Sequence, residues 1–114
     1  MLNGEIIGDV VEYIARYSED NAIDKVVLFG SSARGDYMDT SDVDIRIFSS
    51  HALEIGLYDF CDIIYDLKQE VMERFMVRLD VSVDGFGVMH DYVQAGFIED
   101  GKVIYERVRD RVMY

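Results

Sequence analysis

Apolar and polar positions alternate along this chain with two distinct periods. Behind an Asn3-Gly4-Glu5 start, Ile6, Ile7, Val10, Val11, Ile14 and Tyr17 recur at helical spacing, with Asp9, Glu12, Arg16 and Glu19 opposite them. This predicts an amphipathic helix lying on a sheet, ended by a polar break over residues 18–21. Residues 25–29 form a short, β-branched apolar run that suits a buried strand, and Gly30-Ser31 stops it. Residues 31–34 predict a turn or short helix closed by Gly35. In residues 42–48, Val43, Ile45 and Ile47 alternate with Asp42, Asp44 and Arg46, the period of a half-buried strand. Ser49-Ser50-His51 then offers caps for a long helix, with Gly56 as its start or weak point. Its apolar stripe is Leu57, Phe60, Cys61, Ile64, Leu67, Val71, Met72 and Phe75.

Residues 76–84 alternate again, Val77, Leu79, Val81 and Val83 against Arg78, Asp80, Ser82 and Asp84, and predict a third strand. Further on, Met89, Tyr92, Val93 and Phe97 have helical spacing, Asp100-Gly101 signals a turn, and residues 102–105 read as a short strand. A helix ending at Gly101 and an Asp-Gly hairpin both fit this segment. Residues 106–114 are charged with few apolar positions, the pattern either of a helical extension or of a tail that orders on a partner. The expected class is α+β, a small mixed sheet covered by helices on one face.

Composition narrows the function classes. A chain of 114 residues, half of them apolar, is expected to be one domain spanning residues 1–114 with its own core. No apolar run approaches the roughly 20 residues of a membrane span, and the first residues have neither the basic start nor the apolar centre of a signal peptide. A cytoplasmic protein is expected. With 23 acidic against 11 basic residues the net charge is −12, and no Lys/Arg cluster stands out to follow a phosphate backbone. A nucleic-acid substrate is therefore not expected, and the acidic surface either attracts a basic partner or only aids solubility. Cys61, the single cysteine, is expected to be an inert core thiol. His51 and His90 lie in no recognisable ligand or nucleophile pattern and are read as structural or surface residues.

The chemistry-bearing residues gather around the first two strands. A glycine at the end of a buried strand lets the backbone approach a ligand closely, and the amides after Gly30 together with the Ser31 hydroxyl can surround phosphate oxygens. Asp42 and Asp44, two apart on a strand, project from one face above the apolar residues. Two anions so placed call for a divalent cation, and hard carboxylate oxygens suit Mg²⁺. Arg34 is a further phosphate contact or a solvated loop arginine.

Gly30-Ser31, ten intervening residues and Asp42-x-Asp44 together resemble the signature of the DNA polymerase β-like nucleotidyltransferases, and the chain's size resembles the minimal members of that superfamily. The resemblance covers nearly the whole chain and implies a nucleotidyltransferase fold. It also implies a third carboxylate on the strand after a crossover helix, which falls on Asp80, with Asp84 as the alternative nearer the strand end and a solvated acidic side chain as the other reading of either. By that resemblance Asp42, Asp44 and Asp80 would hold two Mg²⁺ ions, and Gly30, Ser31 and Arg34 would hold the triphosphate of ATP. Minimal nucleotidyltransferases resemble the antitoxin half of toxin–antitoxin pairs whose toxin is a HEPN-domain ribonuclease. The implied reaction is transfer of AMP to a tyrosine hydroxyl of that toxin, within a hetero-oligomer. An antitoxin acting by contact alone, and transfer to a small-molecule hydroxyl such as that of an aminoglycoside, are the competing expectations.

Overall fold

The computed structural model describes residues 2–21, 23–49, 57–84 and 101–107. Helix α1 (Gly4–Asp20) starts where the sequence places it, because the Asn3 side chain caps it by accepting from the Ile6 amide at 2.9 Å. Its end differs from expectation. Ser18 is buried and helical, so residues 18–20 of the predicted polar break lie inside the helix and only its C-cap, Asn21, lies beyond it. The carbonyls of this last turn have partners from outside the helix. The Arg107 guanidinium donates to the Ser18, Glu19 and Ile23 carbonyls, and Asn21 Nδ2 donates to the Tyr17 carbonyl. A cation on the C-terminal carbonyls also opposes the helix dipole. Arg107→Ala is expected to lower stability by about 2 kcal/mol, seen as a reduced urea midpoint at unchanged slope.

Four strands form the sheet: β1 (Lys25–Phe29), β2 (Val43–Phe48), β3 (Leu79–Asp84) and β4 (Lys102–Glu106), in the order β3-β2-β1-β4. The β1 strand is antiparallel to both β2 and β4, with a bulge against β4, whereas β2 and β3 run parallel. A parallel pair needs a crossover, and helix α3 (Leu57–Phe75) lies in that connection. Between β1 and β2, the short helix α2 (Ser31–Arg34) ends at Gly35, whose φ of 89° is the left-handed closure expected of a glycine there.

One face of the sheet carries Val26, Leu28, Val43, Ile45, Ile47 and Leu79, all buried. Ile7, Val10 and Ile14 of α1 and Phe60, Leu67 and Val71 of α3 belong to the same core. Both helices therefore cover that face, as the alternation predicts. The Tyr17 hydroxyl ties them by donating to the Ile63 carbonyl at 2.7 Å, and burial pushes its pKa up to about 12.

Two further readings need correction. Cys61 is exposed, not a core thiol. The buried stripe runs through Phe60, Leu67 and Val71, whereas Cys61, Tyr65, Lys68 and Met72 repeat one position later and form the next, exposed face. The third strand begins at Leu79 instead of Met76, because Met76 closes α3 in a left-handed turn, with φ 57° and its amide donating to the Met72 carbonyl. The cap candidates Ser50 and His51, the predicted helix over residues 88–99 and residues 108–114 of the tail lie outside the described residues.

Candidate active site

Asp44 and Asp80 are direct partners in the parallel β2–β3 ladder. Residues facing each other across a ladder project from the same side of the sheet, so the two carboxylates are neighbours on the face opposite the helices. Asp84 pairs with Phe48 at the far end of the same ladder. Between the two candidates, the structure thus brings Asp80 to Asp44. Asp42 lies immediately before β2, on the loop that leads into it.

The electrostatics follow from this crowding. Burial raises the Asp44 carboxyl above the ordinary carboxylate range, the Asp80 charge and a hydrogen bond with Asp80 raise it further, and the Asp42 charge adds to them. The Arg34 guanidinium opposes these effects. Arg34 is half exposed and its Nε donates to Asp36 at 3.2 Å, yet its charge reaches Asp44. A carboxyl pressed by two neighbouring anions is the setting a divalent cation relieves, and an all-oxygen donor set suits Mg²⁺. Among the described residues, no three His, Cys, Asp or Glu side chains already close around a single point. The arrangement is a close pair, Asp44 and Asp80, with Asp42 beside it.

Gly30 forms the other wall. The last β1 residue, Phe29, pairs with Asp44, and Gly30 then turns the chain with φ 73° and ψ −155°. A Cβ at this position would overlap the Asp44 carboxylate oxygen. The glycine thus meets two demands, a backbone conformation that L side chains avoid and a close approach to a carboxylate. Directly after it, the Ala33 and Arg34 amides donate to the Gly30 carbonyl and start α2. The first amides of a helix have no partner within it, which leaves those of Ser31 and Ser32 to meet an anion at this corner.

Arg78 joins this site only through the folded sheet. It stands two positions before Asp80, and its carbonyl accepts from the Val43 amide at 2.9 Å, which extends the β2–β3 ladder to the level of Asp42. The strand alternation already put Arg78 on the polar side, and only the parallel pairing with β2 puts it beside Asp42. His51 and His90 lie outside the described residues, and Cys61 stands on the helix layer, on the other side of the sheet.

Residues 12–110 match the polymerase β nucleotidyltransferase family. The chain is 33% identical over 87 residues to MJ0604 of Methanocaldococcus jannaschii, named as a candidate protein adenylyltransferase, covering 73% of this chain and 79% of that one. Among solved structures, it resembles a toxin–antitoxin complex with AMP-PNP at a TM-score of 0.62 and 18% identity, over 85% of this chain and 73% of that one. It also resembles the tri-AMPylated Shewanella oneidensis HEPN toxin in complex with its minimal nucleotidyltransferase antitoxin, at a TM-score of 0.57 and 14% identity, over 89% and 73% of the two chains. At these identities the two structures show a shared fold.

Proposed function

The chain belongs to the polymerase β nucleotidyltransferase family and is a nucleotidyltransferase, and from that premise we propose that it transfers AMP from ATP to a tyrosine hydroxyl of a HEPN-domain toxin and so neutralises it. The observation that carries this reading is the in-register pairing of Asp44 with Asp80, beside Asp42 and against the Gly30 corner. The relatives support the acceptor class: MJ0604 is named for adenylyl transfer to protein, and the Shewanella complex holds a HEPN toxin carrying three AMP groups.

Asp42, Asp44 and Asp80 would hold divalent cations, Mg²⁺ by the hardness of their oxygens. Cations bound there offset the triphosphate charge and make the attacking hydroxyl more acidic. The remaining work falls to the chain. Backbone amides and the hydroxyl at Gly30-Ser31 hold the β- and γ-phosphates, and Arg34 adds a positive charge on that side. The tyrosine oxygen bonds to the α-phosphorus while the bond to the β-phosphate oxygen breaks and pyrophosphate departs. Asp80, exposed and next to Asp44, takes the hydroxyl proton. The acidic surface, net −12, suits a partner of opposite charge.

The test is the intact mass of the HEPN-domain partner after incubation with this chain, ATP and Mg²⁺, against a D42N/D44N control. A gain of whole AMP units with the wild-type chain alone is expected. An unmodified partner in a stable complex would instead identify an antitoxin that acts by contact.

A further inference from the structure

A cavity of about 400 Å³ opens beside Asp42, between the loop of Asp39, Thr40, Ser41 and Asp42 and the junction of α3 with β3. Its junction wall is formed by Met72, Met76, Val77 and Arg78, with Leu2 completing it. We propose that this cavity is the acceptor subsite of the nucleotidyl transfer, with Met76 as its apolar wall and Arg78 as a positioning residue for an acidic side chain flanking the acceptor tyrosine. The inference rests on the reaction assigned under Proposed function.

Three observations lead to it. The first is direction. The phosphate-holding corner at Gly30-Ser31 lies on the β1 side of Asp44, and Asp80 and Arg78 lie on the β3 side. In an in-line displacement the nucleophile enters opposite the leaving group. Pyrophosphate leaving on the β1 side therefore calls for the hydroxyl to arrive from the β3 side, and the cavity reaches that side of the site at Arg78, two residues before Asp80, and at Asp42.

The second observation is the lining. Leu2, Met72, Met76 and Val77 are apolar, whereas the facing loop ends in Asp42 at the site itself. A cavity that is apolar at one end and polar at the other suits a phenol, whose ring packs on thioethers and whose hydroxyl points to polar groups. Met76 is 78% exposed and holds φ 57°, a conformation glycine would adopt without strain. An exposed thioether kept in a strained turn at the mouth of a cavity fits a side chain retained for contact.

The third observation is charge. Arg16, Arg34 and Arg74 are each paired with a carboxylate, to Glu12, Asp36 and Glu70. Arg78 is exposed and has no ion pair among the described residues. A guanidinium left unpaired in a chain of net charge −12 is available to a carboxylate that the rest of the surface would repel.

The experiment measures transfer to the HEPN-domain partner with the acceptor and Mg·ATP varied separately. Met76→Glu and Arg78→Ala should each raise the acceptor KM by about tenfold and leave the Mg·ATP KM within about twofold. Arg78→Lys should restore most of the acceptor KM, and Met76→Gly should raise the melting temperature while still weakening the acceptor. That opposition of stability and function separates contact from fold maintenance. An unchanged acceptor KM in both M76E and R78A would overturn the proposal, and so would a Mg·ATP KM that rises as far as the acceptor KM, which would give the cavity to the nucleotide. If the wild-type chain transfers nothing, the reaction itself is misassigned and the subsite falls with it.

Discussion

Asp44→Asn is expected to abolish nucleotidyl transfer and, without divalent cation, to raise the melting temperature of the chain. The first effect follows from place. Asp44 is the residue that Asp42, Asp80 and the Gly30 corner all surround, so its charge is shared by every part of the site. Removing it should cost on the order of a thousandfold or more in rate, the scale at which groups stabilising transition-state charge are felt. The second effect follows from the same crowding. Burial and the neighbouring Asp80 and Asp42 charges raise the folded-state pKa of Asp44. A carboxyl with a raised folded pKa contributes stability that is fully present below the unfolded value, about 4, and is lost as pH rises through the folded value.

At neutral pH, then, the metal-free wild-type chain carries an unfavourable charge that the amide lacks. The melting-temperature gap between D44N and wild type in EDTA should be a few degrees at pH 7 and should shrink towards pH 4. Adding Mg²⁺ should raise the melting temperature of the wild-type chain and leave D44N nearly unmoved. A D44N chain less stable than wild type in EDTA at pH 7 would mean that this carboxylate holds the fold instead of burdening it.

Much of the geometry of this candidate site was legible in the sequence because its parts obey local rules. Strand alternation puts Asp42 and Asp44 on one side, and a glycine ending a buried strand marks a close approach. The choice of Asp80 over Asp84 was different. Alternation puts both on one face, and only the pairing of β3 with β2 decides which stands by Asp44. Register between distant strands is not written in either strand alone. The same holds for Arg78. The misplacement of Cys61 has a third origin, since an apolar residue at the rim of a helical stripe counts toward the period whether or not anything packs against it. Ser18 shows the converse, a polar residue read as a break that is buried inside the helix, where the Arg107 guanidinium, far along the chain, also bonds the Ser18 and Glu19 carbonyls.

Gly30→Ala should be the most damaging small substitution for the fold, and Gly35→Ala is its control. Both glycines have positive φ, 73° and 89°. At Gly35 a Cβ meets nothing within 4 Å, so alanine there brings conformational strain alone. The left-handed region costs an L residue about 1–2 kcal/mol, and transfer should survive. At Gly30 the φ and ψ together fall in a region almost confined to glycine, worth about 1–3 kcal/mol, and the new methyl would also overlap the Asp44 carboxylate. Asp44 cannot retreat easily, because Asp80 stands on its other side. A total loss of about 3 kcal/mol is expected for G30A, read as a lower urea midpoint, together with loss of transfer at temperatures where the variant is still folded. The comparison separates two demands on one residue: if G30A and G35A lose the same stability and both still transfer AMP, the close approach of Gly30 to Asp44 contributes nothing to the site, and conformational freedom alone accounts for the glycine.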